Sequence, residues 1–108
     1  MSEEPIRQVA GLDRLIHEPA RMAIVTILST VEKADFLFLL HQTGLTRGNL
    51  SAHLTRLEAA GYIKVEKTYR GKVPQTLISL TEEGRTAFET YCKQLKAFVN
   101  SLPEQKNE

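Results

Sequence analysis

A chain of 108 residues with 42% hydrophobic and 25% charged side chains has the size and composition of one globular domain. These values exclude collagen-like repeats, coiled-coil rods and wholly disordered chains, and the single Cys92 excludes an intramolecular disulfide. A formal net charge of +1 by itself indicates no particular partner.

The first half of the chain shows the apolar spacing of three helices. Apolar side chains three to four residues apart predict a first helix over residues 6–17 and a second helix that begins at Pro19. Proline suits the first turn of a helix because that position needs no backbone donor. Asp35 is a good N-cap for a short third helix, which Gly44 ends.

A fourth helix follows, and after it the spacing of the apolar residues changes from that of a helix to that of a strand. Thr46 is a good N-cap for a helix that runs to Ala60, with leucines spaced four and three apart along its buried face. Beyond this helix, the side chains over residues 63–66 and 76–80 fall into two alternating sets, with a period of two residues. This alternation predicts two antiparallel strands joined at residues 70–72.

The last element is a helix over residues 82–102, which Thr81 caps, and the polar tail 103–108 is expected to be disordered. The fold class is therefore mainly α with a small two-stranded antiparallel β-wing. We expect one domain over residues 1–102, a winged helix-turn-helix with additional N- and C-terminal helices.

The basic residues are concentrated in one part of the chain. Residues 46–76 contain six basic and two acidic residues and so carry +4, whereas the remainder carries −3. Such an asymmetry is typical of a nucleic-acid-binding protein. A solvated basic face without a partner has the same pattern, so the charge alone leaves both interpretations open.

The third and fourth helices and the turn between them have the order of a helix-turn-helix, whose second helix enters the major groove of DNA. On the face opposite the leucines, Asn49 suits a bidentate contact with adenine and Arg56 one with guanine, while Arg47 reaches a phosphate or a guanine edge. A solvated polar helix face has the same appearance. The predicted DNA-binding residues of this helix are Thr46, Arg47, Gly48, Asn49, Ser51, Ala52, Thr55 and Arg56.

The tip of the predicted hairpin adds cations to this surface. Arg70 and Lys72 flank a glycine that permits the tight turn. Such a tip lies along the phosphate backbone or places an arginine in the minor groove. Charged tips also occur for solubility alone. The predicted DNA contacts of the wing are Lys67, Tyr69, Arg70 and Lys72.

The run LTRGNLSAHLTRLEAAGYIKVEK, followed by YRGK and LISLTEEGRTAF, resembles the winged-helix DNA-binding domain of small archaeal and bacterial regulators of the MarR/ArsR type. The resemblance covers residues 12–88 and implies a homodimer on a pseudo-palindromic operator, with residues 47–56 in the major groove. Metal-sensing members carry paired cysteines that this chain lacks, and members that bind phenolic ligands are mostly longer. Metal sensing is therefore not expected, and an effector stays an open question.

The last helix carries apolar residues at alternating spacings of three and four, which is typical of a helix that pairs with another helix. Packing on the chain's own domain requires the same spacing. In regulators of the MarR/ArsR type the first and last helices commonly build the dimer interface, so residues 6–17 and 82–102 are the expected dimerisation helices. The predicted interface residues are Ile6, Val9, Leu12, Phe88, Tyr91, Leu95, Phe98 and Leu102.

These features predict a sequence-specific double-stranded DNA-binding regulator of transcription that acts as a homodimer and a repressor. The alternatives are a winged helix that binds only another protein and an architectural protein that binds DNA without sequence preference. No enzyme is expected, because Ser51 and His53 are two residues apart on a helix and cannot pair as nucleophile and base.

The sequence also predicts the cellular location of the protein and the absence of a membrane span, a metal site and a cofactor. Its apolar stretches are far shorter than the roughly 20 residues of a membrane-spanning helix, and its acidic start does not resemble a secretory signal. Its three histidines lack the pair spacing of a zinc site. We expect a cytoplasmic protein without membrane contact, metal or other cofactor.

Overall fold

The chain folds into helices around a small sheet. A computed structural model describes residues 4–104, and residues 105–108 of the predicted disordered tail lie outside them. None of the described helices is long and apolar enough to cross a membrane. The elements in chain order are α1 (Glu4–Ala10), α2 (Pro19–Leu28), β1 (Ala34–Asp35), α3 (Phe36–Thr43), α4 (Arg47–Ala59), β2 (Ile63–Arg70), β3 (Val73–Leu80) and α5 (Glu82–Ser101).

The predicted winged-helix fold, mainly helical with an antiparallel wing, is confirmed. Strands β2 and β3 pair from Ile63 opposite Leu80 to Arg70 opposite Val73. The wing itself has the two predicted strands, and the sheet gains a third strand that was not predicted, because the two residues of β1 pair with β3 on its other edge and give the order β1-β3-β2. Two residues are too few to show a period of two in the sequence.

The N-caps of three helices lie where the sequence predicts them. Asp35 accepts the backbone N–H of Leu37 at the start of α3, and Thr81 accepts that of Gly84 at the start of α5. Thr46 caps α4 in the same way. Each cap supplies a partner for a donor that the first turn of a helix leaves unpaired, and each helix therefore begins at a defined residue.

The predicted helix over residues 6–17 is wrong in its second half, because α1 ends at Ala10 and turns follow. Asp13 accepts the backbone N–H groups of Leu15 and Ile16 through Oδ1, at 2.9 and 3.2 Å. A short polar side chain that bonds to the backbone in this way competes with helix formation. The apolar spacing in this segment reflects burial, since Ile16 is fully buried outside any helix.

Two apolar clusters hold the elements together. The larger one lies between α2, α3, α4 and the sheet, and its fully buried members include Ile24, Leu39, Leu50 and Ile78. The smaller cluster consists of Leu12, Ile16 and Tyr91 and attaches α5 to residues 11–17. Both α4 and the start of α5 are thereby fixed to one framework.

A hydrogen bond between side chains reinforces the second cluster. The hydroxyl of Tyr62 donates to Oδ2 of Asp13 over 2.6 Å. This bond, with partial burial and the negative charge of Asp13, raises the pKa of Tyr62 to about 12. The phenol therefore keeps its proton well above neutral pH, and the bond ties residues 11–17 to the start of β2.

Candidate nucleic-acid interface

The helix α4, which we call the recognition helix, presents a leucine face to the core and a polar face to solvent. Leu50 and Leu57 are fully buried and Leu54 is 5% exposed. Oγ1 of Thr46 accepts the backbone N–H of Asn49 over 3.1 Å, which fixes the first turn. All of its predicted DNA-binding residues are solvent-exposed: Thr46, Arg47, Gly48, Asn49, Ser51, Ala52, Thr55 and Arg56.

The position of Gly48 supports close approach by another molecule. A Cβ added to Gly48 meets no atom within 4 Å, so nothing inside the protein requires a glycine here. Glycine near the start of a helix lowers helix propensity, by at most about 1 kcal/mol relative to alanine. A partner whose surface comes close to the helix backbone is one reason to keep it.

The wing directs its side chains to two different faces. Pairing at the root of the hairpin buries Ile63 toward the core, and side chains on a strand alternate, so Lys67 and Tyr69 continue the face that α4 packs against. Arg70 lies on the opposite face. Gly71 begins the two-residue turn with φ of +65°, a value that suits glycine.

A groove, here called the wing groove, runs between the recognition helix and the sheet. Arg47 of α4 and Lys67 of β2 both line it, so the structure brings one predicted contact of the helix and one of the wing together. Glu58 also lines the groove, which places one anion beside the two cations. The other lining residues are Phe36, Ser51, Leu54, Thr55, Val65 and Thr76.

Thr76 is a groove residue that the sequence analysis missed. It lies directly opposite Lys67 in the ladder and contributes a hydroxyl to the same groove. The signal for it was present, because a turn at Gly71 and Lys72 fixes the register, and the register places residue 76 opposite residue 67.

The other acidic residue of the basic segment, Glu66, lies away from the wing groove. It is on the opposite face of β2, where its carboxylate is 3.0 Å from Nζ of Lys33 and 3.9 Å from Nζ of Lys64. The hydrogen bond from Lys33 holds the pKa of Glu66 below its ordinary value, so the carboxylate is ionised at neutral pH. Of the two acidic residues of the basic segment, only Glu58 therefore lies beside the groove cations.

A second surface lies where α1 packs against α5, remote in sequence from the recognition helix. An apolar groove, here called the terminal groove, is lined there by Pro5, Ile6, Val9, Ala10 and Phe98. Ile6 is 73% exposed and Val9 is 40% exposed, and Val99 and Leu102 of α5 are also exposed. The residues that the structure describes leave these large apolar side chains uncovered.

The structure places only part of the predicted dimer residues on that surface. Leu12 and Tyr91 are buried in the subunit's own second cluster, at 4% and 2% exposure, so these two side chains leave little surface for a second copy, and their place in the interface stays a prediction. Phe88 and Leu95 pack against buried clusters of the same subunit. The apolar side chains of α5 thus pack within the subunit as far as Leu95, whereas Val99 and Leu102 near the end of the helix are exposed.

The arrangement matches a known family. The family model described as a winged helix DNA-binding domain matches residues 20–99, which include the recognition helix and the wing. The chain belongs to this family. The predicted resemblance to a winged-helix DNA-binding domain is thereby confirmed.

Curated relatives agree with this assignment. An uncharacterized protein of Methanocaldococcus jannaschii is 32% identical over 83 residues, which cover 76% of this chain and 89% of that protein. An uncharacterized HTH-type transcriptional regulator of Bacillus cereus is also 32% identical over 83 residues, covering 77% of this chain. The match spans only 54% of the length of the Bacillus regulator.

Solved structures share the fold of this chain. A transcriptional regulator homologue of Pyrococcus horikoshii superposes with a TM-score of 0.84 at 27% identity and covers 94% of this chain and 99% of its own. A MarR-like transcription regulator of Bacillus cereus gives a TM-score of 0.65 at 19% identity, covering 91% and 73%. The latter likeness concerns the fold alone.

Proposed function

We propose that this protein is a cytoplasmic homodimeric repressor that binds a two-fold symmetric site in double-stranded DNA. The recognition helix reads base edges, and the wing groove holds the phosphate backbone. The observation that carries this proposal is the convergence of Arg47 and Lys67 on one groove beside an exposed face of small polar residues. Cations position a protein on the backbone, and short polar side chains let a helix approach the bases.

The terminal groove supports the homodimer. A second copy of the chain related by a two-fold axis offers the same apolar patch, so that exposed residues such as Ile6 and Val99 cover one another. Two recognition helices would then meet half-sites about one helical turn apart, roughly 10 base pairs. A dimer bound across a promoter in this way excludes the polymerase, and we therefore propose repression.

Selection from random DNA tests the specific part of the proposal. A pool of random duplexes is enriched on the protein at two salt concentrations and sequenced, with Arg56→Ala compared with wild type. We expect a two-fold symmetric motif, and loss of preference at one position in each half-site with Arg56→Ala. A bidentate arginine–guanine contact contributes about 1–3 kcal/mol of discrimination, or about 5- to 150-fold.

Arg70→Ala is the comparison variant, because Arg70 is exposed at the hairpin tip and lies on the face away from the recognition helix. It is expected to weaken all sequences evenly, as loss of a phosphate contact does. Binding without enrichment and with a steep salt dependence would indicate an architectural protein. Absence of any binding would indicate a winged helix that contacts only protein.

A further inference from the structure

A buried arginine lies behind the recognition helix. Arg21 of α2 is 8% exposed and, among the residues whose burial the structure describes, is the only buried charged side chain. A buried guanidinium needs partners for its donors. Arg21 Nε donates to the carbonyl oxygen of Leu15 over 2.5 Å, and Arg21 Nη1 lies 3.0 Å from Nδ1 of His53. Arg21 therefore connects α2 to residues 11–17 and to the recognition helix.

The contact between Arg21 and His53 requires a particular protonation state. A guanidinium has donors but no acceptor, so Nδ1 of His53 accepts, and the neutral imidazole carries its proton on Nε2. A second proton, on Nδ1, removes the acceptor and places an imidazolium against the guanidinium. Histidine is the side chain that changes charge between about pH 5 and 8. A proton on Nδ1 of His53 is therefore expected to break this contact.

Among the described residues, the charged groups recorded beside His53 are Arg21 of α2 and its N-cap residue Glu18. Arg56 follows His53 by three residues along α4. Oε1 of Glu18 is 4.0 Å from Nδ1 of His53 and accepts the backbone N–H of Arg21 over 2.8 Å. That hydrogen bond holds the pKa of Glu18 below its ordinary value, so the carboxylate is ionised. Its charge offsets part of the repulsion in the protonated pair but does not restore the lost hydrogen bond.

His53 lies beside both predicted base-reading residues of the recognition helix. Asn49 precedes it by four residues and Arg56 follows it by three, so the three side chains share one side of α4. The leucines on the inner face are buried by non-directional packing. The hydrogen bond between Arg21 and His53 has a preferred direction and therefore restricts the rotation of α4 about its axis.

We propose that Arg21 and His53 are positioning residues for base reading, and that a proton on His53 releases the recognition helix and lowers sequence discrimination. This inference rests on the proposed reading of bases by α4. The affected quantity is discrimination between sequences, because protonation adds positive charge and so does not weaken the attraction to phosphates.

The test compares pH profiles of discrimination, defined as the affinity for the enriched duplex divided by that for a shuffled duplex. Wild type, His53→Asn and His53→Leu are measured from about pH 8 to about pH 5.5. Asparagine offers an amide oxygen near the position of Nδ1 and does not titrate, whereas leucine has no acceptor. His41→Asn, an exposed histidine on α3, is the control.

We expect wild-type discrimination to fall about tenfold with acid, the effect of losing one hydrogen bond to a charged group. His53→Asn should keep it within about twofold, and His53→Leu should be low throughout the range, while the His41→Asn control follows wild type. A second readout needs no DNA: the ¹⁵N spectrum of the free protein should show the His53 proton on Nε2 at neutral pH.

Three results would overturn the inference: wild-type discrimination that does not change with pH, equal behaviour of the two His53 variants, or a neutral imidazole protonated on Nδ1. Failure of the proposed function looks different. In that case no duplex is enriched by the wild-type protein at any pH, and the inference falls together with the base reading on which it rests.

Discussion

Gly84→Ala is expected to lower the free energy of unfolding by about 3 kcal/mol, the upper part of the range for overpacking a dense interior. A Cβ built on Gly84 overlaps the carbonyl oxygen of Tyr62 and lies 2.8 Å from its carbonyl carbon. These are backbone atoms, and the same oxygen accepts the N–H of Thr81 over 3.0 Å. Relief of the clash therefore requires movement of the whole start of α5 away from the sheet.

Gly48→Ala is the matched control, because a Cβ there meets nothing within 4 Å. Thermal or urea unfolding of the two variants should differ sharply: Gly84→Ala loses on the order of 12–24 °C in Tm, and Gly48→Ala stays at or slightly above wild type. Equal stability of the two variants would mean that α5 does not pack against Tyr62 as described.

Val99→Glu is expected to convert the dimer to a monomer and to lower the affinity for the enriched duplex by at least about 100-fold. Val99 is 55% exposed in the subunit, so the substitution does not disturb the subunit's core. In the dimer it places a carboxylate from each copy in an apolar interface, where an unpaired charge is costly. A monomer also loses the gain of about 10²- to 10⁴-fold that linking two half-site contacts provides.

Asn100→Glu is the control for Val99→Glu. It adds the same charge at the next position of α5, which is exposed and points about 100° away around the helix. Sedimentation and duplex binding are measured on both variants and on wild type. A wild-type protein that sediments as a monomer, or Val99→Glu that dimerises and binds as Asn100→Glu does, would contradict the proposed homodimer.

Local signals in the sequence predicted the elements around the interface. Each N-cap side chain accepts a backbone N–H only two or three residues further along the chain. The residue types at Asp35, Thr46 and Thr81 were therefore enough to place the starts of α3, α4 and α5. The leucines of α4 likewise defined its inner face and hence its outer one. Every residue predicted to contact DNA is exposed, although exposure does not test the contact itself.

Features that depend on distant residues were not predictable in this way. Leu12 and Tyr91 have the spacing of an interface helix, and only the fold shows that they bury each other within one subunit. Arg21 and His53 are 32 residues apart and belong to unremarkable helical patterns. Apolar spacing reports that a side chain is buried but not against what, and a polar residue gives no sign of its partner.

The salt dependence of duplex binding tests most directly whether the wing groove holds the DNA backbone. Affinity is measured against salt concentration for wild type, Lys67→Ala and Lys64→Ala. Lys64 is the matched control because it lies on the same strand, on the face away from the groove and near Glu66. Loss of one phosphate contact makes the slope of log affinity against log salt shallower by about 1.

We therefore expect Lys67→Ala to weaken binding to all duplexes and to reduce the slope by about 1, with Lys64→Ala indistinguishable from wild type. Such a result would place a DNA phosphate at Lys67, inside the groove that Arg47 shares. Equal slopes and affinities for the two lysine variants would contradict the account, because the backbone would then pass outside the wing groove.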